Sequence, residues 1–284
     1  MKTGIKYQNN LELRLRCDQA GQTVCRHQYT TYPLRLSSLF RLEGANSQRA
    51  YHYLINTSPG LLAGDELNLS LQLESNTSLY LTDQAATKVH PMPELYTKAV
   101  VNYQITAAAG ANLELVPEPI ILYKDSILEQ KTVIELHPTA RLFLTEIILP
   151  GRLAKGEYYN FNYYFNRLIV TDFKQKLLLT DAMRLPGKEN KFKDHKIFSS
   201  LPIMGNAIAI LPNVNLQLIT QQLAELKSID SPNIEVATTI LPTNNGILIR
   251  ALSNKTIKLK KYFTDALNCI RTITNQSPLP YIAK

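Results

Sequence analysis

Six acidic side chains stand inside or beside otherwise apolar stretches: Asp65, Glu66, Asp83, Glu118, Glu146 and Asp181. An unpaired carboxylate costs several kcal/mol to bury, on the order of 3–5 when its partner is removed, so each needs a reason. Glu146 is the sharpest case, because it lies between Thr145 and Ile147 in a strongly β-forming run. Two readings stand for it: a strand residue facing water or paired with an arginine such as Arg152, or a group lining a water-filled cavity. Asp65 follows Pro59, Gly60 and Gly64, and reads as an acid that closes a turn by accepting backbone N–H groups. Glu66 is in phase with Asn68 and Ser70 on a polar strand face. The five histidines show neither HxH nor HExxH spacing; His90 stands out because it follows the small polar segment DQAATK. Lys88 with Thr82 and Thr87 could mimic a nucleophile and base, but no oxyanion site accompanies them. No G-x-S-x-G, P-loop or GxGxxG is present.

The elements that must carry these residues are short strands. Leu11–Arg16, Leu67–Leu73 and Val100–Thr106 alternate apolar and polar with a period of two, the mark of a strand with one buried face. After the turn at Asn76, Leu79–Thr82 reads as the return strand of a hairpin. Pro33 puts the segment before Phe40 at a sheet edge or in an entry loop. Pro117 and Pro119 hold Glu118 in an extended segment between two short strands. Arg141–Leu149, Tyr159–Val170, Lys176–Thr180 and Asn206–Leu211 read as further strands. Leu216, Ile219, Leu223 and Leu226 form one helical stripe; Leu259, Phe263, Ala266, Leu267, Ile270 and Ile273 form another, with Lys260, Lys261 and Arg271 off it. Asn244-Asn245-Gly246 between apolar runs signals a hairpin. The pattern is all-β: two stacked, mostly antiparallel or mixed sheets with two helices late in the chain, in one domain over residues 1–284. The helix-bearing third covers about residues 205–284, and the tail 275–284 is expected to be mobile or docked on a partner.

The 284 residues carry a net charge of +8 and 45% hydrophobic side chains, so a folded core is expected. The basic excess suits an acidic partner, yet no nucleic-acid motif appears. Three cysteines, Cys17, Cys25 and Cys269, without a CxxC pair, argue against a disulfide framework. The first residues lack an apolar signal core and no run reaches the ~18 residues of a membrane helix, so a cytoplasmic location is expected.

Five stretches, in order, resemble the urease accessory protein UreD (UreH) family: NTSPGLLAGDEL, LTDQAATKVH, LVPEPIILYKDS, PGRLAKGEYYNF and GILIRALSNKT. The resemblance spans roughly residues 35 to 272, most of the chain. The chain departs from the family at Leu61 and Ala63, where glycine is commoner, at Asp83, where a second Thr is usual, and in a tail without tryptophan. The resemblance implies a helical winding of the two sheets. It also implies an assembly factor without catalysis of its own, one that binds apo-urease, recruits UreF and through it UreG, and assists GTP-dependent nickel insertion. It implies no tightly bound cofactor, at most transient nickel, and neither nucleic acid nor membrane as a partner. Nickel accepts imidazole, carboxylate and water, so a passage would use weak, exchangeable sites; Asp65, Glu66, Asp83, His90, Glu118, Glu146 and Asp181 are the candidates. The matched segments offer Thr82, Gln84, Thr87, Lys88, Arg152, Glu157 and Arg250 as interface candidates, and the last helix adds Tyr262, Phe263 and Arg271. Tyr159, Tyr163 and Tyr164 motivate a different reading, a β-sandwich module binding a ligand such as carbohydrate; a hydrolytic β-fold enzyme is a third.

Overall fold

The computed structural model describes residues 8–93, 97–187, 189, 194–230 and 233–284. The strands run β1 (Leu11–Cys17), β2 (Thr23–Thr30), β3 (Leu34–Leu36), β4 (Ala50–Asn56), β5 (Glu66–Leu73), β6 (Ser78–Asp83), β7 (Thr87–Val89), β8 (Ala99–Ala107) and β9 (Asn112–Leu115). They continue with β10 (Ile120–Leu122), β11 (Ile127–Leu136), β12 (Arg141–Leu149), β13 (Tyr163–Thr171) and β14 (Leu177–Leu185). Then come α1 (Lys196–Ser200), β15 (Ile203–Ile210), α2 (Leu216–Asp230), β16 (Ile234–Ile240), β17 (Gly246–Ser253) and α3 (Thr256–Ile273). The short α1 was not expected; α2, α3 and the β16–β17 hairpin were. The turn of that hairpin holds Asn244 at a φ of 50°, a conformation asparagine tolerates.

One sheet has seven strands in the order β14-β13-β11-β8-β5-β1-β2. The other has ten, running β16-β17-β15-β12-β9-β6-β4-β3, with β10 beside β12 and β7 beside β10. From β4 to β13 the chain crosses between the sheets again and again. The result is a ladder of parallel pairs in each: β5–β8, β8–β11 and β11–β13 in the first, β4–β6, β6–β9 and β9–β12 in the second. The β5–β6 hairpin expected from the sequence is therefore absent. The turn between them, with Asn76 at a φ of 61°, carries the chain from one layer to the other. The two strands differ in burial accordingly. β5 keeps Gln72 exposed, whereas Ser78–Thr82 of β6 are buried throughout, as befits a parallel strand covered on both faces.

The second sheet is covered on both faces. Leu79, Leu81, Leu113, Leu142 and Ile148 point into the space between the sheets, where they meet Leu69 and Leu71. Tyr80, Phe143 and Ile147 point the other way, onto α2 and α3 through Ile219, Leu223, Phe263 and Ile270. Helix α3 approaches so closely that a Cβ on Gly205 would lie 2.8 Å from Phe263 Cζ. Pro33 precedes the edge strand β3, and Pro117 and Pro119 separate β9 from β10, both as the proline rules require.

Helix α3 supplies one surprise. Arg271 is buried at 0% exposure, donating to Glu114 Oε1 at 2.9 Å and Glu43 Oε1 at 3.0 Å, and close to Tyr51 Oη at 3.3 Å. Tyr262 and Phe263 are buried as well. The three side chains expected at an interface with a partner are thus engaged in the chain's own core. The tail 275–284 also lies against this body, through Leu279 and Ile282 on the helix-side core.

Candidate functional site

Alternation along β12 decides where Glu146 goes. Leu142 and Ile148 face the other sheet, so Glu146, in phase with both, faces it too. There it meets a cavity of about 330 Å³ that runs between the layers. Leucines, isoleucines and Val101 make much of the wall. Polar groups gather in two places. Asp83, Gln84, Thr87, Lys88 and Glu118 mark the side of β6, β7 and the proline-flanked segment. Gln130, Glu146, Asn166, Asp181 and Asn206 mark the side of β11 to β15.

The second group is a connected network. Glu146 Oε1 accepts from Tyr164 Oη at 2.6 Å, Asn166 Nδ2 at 2.7 Å and Gln130 Nε2 at 3.1 Å. Its Oε2 accepts from Asn206 Nδ2 at 3.4 Å. Arg250 then links Asn206 Oδ1, at 3.0 Å, to Asp181 Oδ1, at 2.6 Å. Burial pushes the Glu146 carboxyl upward; the bonds from Tyr164, Asn166 and Asn206 hold it back, and the charge on Asp181 adds to the rise. The paired Asp181 and Arg250 are 24% and 41% exposed, so the network runs from the interior to solvent. Asn166 Oδ1 is buried without a hydrogen-bond partner among the described residues.

In the first group Glu118 accepts Lys260 Nζ on both oxygens, each at 2.9 Å, and also pairs with Lys284; burial raises its carboxyl, but Lys284 and Lys260 together outweigh burial and lower it. Asp83 Oδ2 accepts the Glu118 N–H at 3.1 Å. Desolvation nevertheless raises the Asp83 carboxyl to about 7. Lys88 is exposed at this edge of the cavity, and the Pro59-Gly60 turn packs against its backbone: Leu61 N donates to Lys88 O at 2.7 Å. A Cβ on Gly60, whose φ is 148°, would stand 2.4 Å from that same oxygen.

Four of the seven carboxylate and histidine candidates thus share one cavity: Asp83, Glu118, Glu146 and Asp181. Three do not. Asp65 caps its own turn, accepting Leu62 N at 2.8 Å, and Glu66 is exposed and accepts Asn68 Nδ2 at 3.2 Å. His90 packs on Tyr123, with Nε2 3.2 Å from Pro59 O. Among the described residues, no three His, Cys, Asp or Glu side chains converge on one point.

Of the interface candidates, Thr82 is buried and donates to Val116 O at 2.6 Å, while Gln84 and Lys88 are exposed and Thr87 half-buried. Arg152 does not reach Glu146; it pairs with Glu157, donating to Oε2 at 2.8 Å, and lies 4.4 Å from the Tyr123 ring centroid. Arg250 holds Asp181. The tyrosines that suggested a carbohydrate platform correct that reading, because Tyr159 and Tyr164 are fully buried. Sequence reasoning missed Gln130, Asn166 and Asn206 in the network. Only Asn206 carried a signal, as an amide within an apolar run. No helix among the described residues is long and apolar enough to cross a membrane.

A family model described as UreD urease accessory protein matches residues 8–284. The chain is 53% identical to a urease accessory protein UreD of Trichodesmium erythraeum (strain IMS101) over 276 residues, covering 97% of this chain and 99% of that protein. It is 29% identical to UreD of Bacillus cereus (strain ATCC 10987 / NRS 248), with 78% and 80% covered. It is 26% identical to UreD of Haloarcula marismortui (strain ATCC 43049 / DSM 3752 / JCM 8966 / VKM B-1809), with 86% and 80% covered.

Proposed function

Since the chain belongs to the UreD urease accessory protein family, we propose that it serves urease maturation as a scaffold whose inter-sheet cavity passes nickel toward the enzyme. It docks on apo-urease, recruits UreF and through it UreG, and nickel insertion draws on GTP hydrolysis by that partner. The chain performs no reaction of its own and works in the cytoplasm.

One observation carries the passage: carboxylates at both sides of a single cavity, Asp83 and Glu118 on one, Glu146 and Asp181 on the other. Nickel as cargo needs oxygen donors that it can leave again. Separated carboxylates offer this, where a closed cage of four ligands would retain the ion. The raised carboxyl of Glu146 supports the same reading, because burial favours its protonated form and a metal ion binds a carboxylate in competition with that proton.

The test is co-expression of urease with Glu146→Gln and, separately, Asp181→Asn. Glutamine keeps the volume and the oxygen that accepts from Tyr164, Asn166 and Gln130, gives up the acceptor facing Asn206 Nδ2, and removes the charge. The expected result is normal recovery of the accessory complex on tagged urease with a urease nickel content reduced by about tenfold, the order of effect that loss of one polar contact on a metal carries. Full nickel content in both variants would exclude the cavity as the route. Failure of UreF to co-purify with the wild-type chain would exclude the scaffold role.

A further inference from the structure

Residues 275–284 cross the surface toward the cavity. Arg271 Nη1 donates to Ser277 O at 3.2 Å, and Leu279 N donates to Asn268 Oδ1 at 2.7 Å. Pro278 and Pro280 keep the segment extended, and Ile282 rests partly buried on the helix-side core. Lys284 then reaches the mouth. Its Nζ donates to Thr82 Oγ1 at 2.7 Å and pairs with Glu118 Oε1. Its side chain is 22% exposed, low for a lysine. Asp83 is near enough for its charge and that of Lys284 to act on each other. The groups that touch the ammonium are oxygen acceptors, and the Lys260 ammonium, on the same Glu118 carboxylate, repels it. Thr82 spends its hydroxyl hydrogen on Val116 O, so its lone pairs face Lys284.

We propose that Thr82, Asp83 and Glu118 form a cation site at the mouth of the cavity and that Lys284 is its built-in occupant, displaced when a divalent cation enters. This rests on the passage reading above. An ammonium and a divalent cation compete for the same hard oxygen donors. A tethered ammonium competes at an effective concentration of roughly millimolar, without limiting its own release. Beyond Leu279 the segment rests on half-buried Pro280 and Ile282 and on the bonds of Lys284, with Tyr281 87% exposed, so the occupant leaves without unfolding the body. Glu118 keeps Lys260 when Lys284 departs, which prevents an uncompensated charge at the mouth.

Hydrogen exchange of residues 277–284 in the full chain, followed while nickel chloride is added, tests the displacement. Nickel is expected to speed exchange of this segment and leave β12 unchanged. Lys284→Met should exchange fast without metal and bind nickel several-fold more tightly by calorimetry; Glu118→Gln should free the tail and abolish the nickel response. A tail indifferent to nickel, or Lys284→Met binding nickel no more tightly than the parent, overturns the gate. The two readings fail separately. Nickel-driven tail release with full urease nickel in Glu118→Gln keeps the cation site and removes the passage; a static tail with nickel-poor urease removes the gate and keeps the passage.

Discussion

Asp83 combines partial burial with two opposing neighbours. Loss of water around it raises its carboxyl from 3.8 to about 7; Glu118 adds to the rise through its charge, while the Glu118 N–H and Lys284 hold it down. Between those two pH values the folded chain keeps a proton that the unfolded chain releases. Stability therefore falls as pH rises through this window and levels off above it. Asp83→Asn removes the penalty and keeps an oxygen for the Glu118 N–H. The variant should exceed the parent by about 2 kcal/mol in urea unfolding at pH 8, and the gap should close near pH 4. An equal gap at both pH values would refute desolvation as the cause. The acids of this site were legible as residue types, because a carboxylate in an apolar strand violates a strong rule. Gln130 and Asn166 were not, since a neutral amide on an alternating strand looks the same whether it faces water or a cavity. Arg271 was hidden for another reason: its partner Glu114 lies 157 residues earlier, and nothing local marks the pair.

Helix α3 acts as a strut on the second sheet. Its apolar stripe was readable from spacing of three and four, but the stripe is wider than the sequence suggested, since Arg271 and Tyr262 are inside it. Gly205 of β15 explains how the helix comes so near, because Phe263 occupies the place of a side chain there. The polar end of the helix is fixed by Arg271 with Glu114 and Glu43, both side chains 14% exposed or less. Arg271→Met leaves the Glu114 carboxylate buried with Arg49, at 3.2 Å, as its one ion-pair partner among the described residues. That should lower the unfolding free energy by about 3 kcal/mol, and Arg271→Met with Glu114→Gln should restore part of the loss. Denaturant melts of the two variants measure both; a double variant as unstable as the sum of its parts would dissolve the pairing. Local elements such as the β16–β17 hairpin were visible because their determinant, an Asn-Asn-Gly turn, is contiguous. The partner sheet of β6 was invisible because the choice between a hairpin and a crossing is made by contacts with β4 and β9, far away in sequence.

The winding of the chain through both sheets explains why a cavity can persist. Parallel ladders fix each sheet along its length, and the second sheet is shared by both cores, so the layers stay apart at the cavity while leucine pairs close the space elsewhere. Side chains that face this space give up the close packing that leucines make elsewhere between the layers. Retaining about 330 Å³ lined by four carboxylates therefore trades packing for access. Val101 tests this at the scale of the molecule. It is 7% exposed, lies on β8 against Gln130 of β11, and lines the cavity. Val101→Phe places a ring in the free volume with no change of charge. The melting temperature should rise by about 2–4 °C, as a gain near 1 kcal/mol gives for a chain of this size. The complex with urease should form normally, and the nickel content of urease should fall. A destabilised variant would mean that the volume is too narrow or too wet to accept the ring, and a stabilised variant with full nickel content would mean that the cavity is not the path.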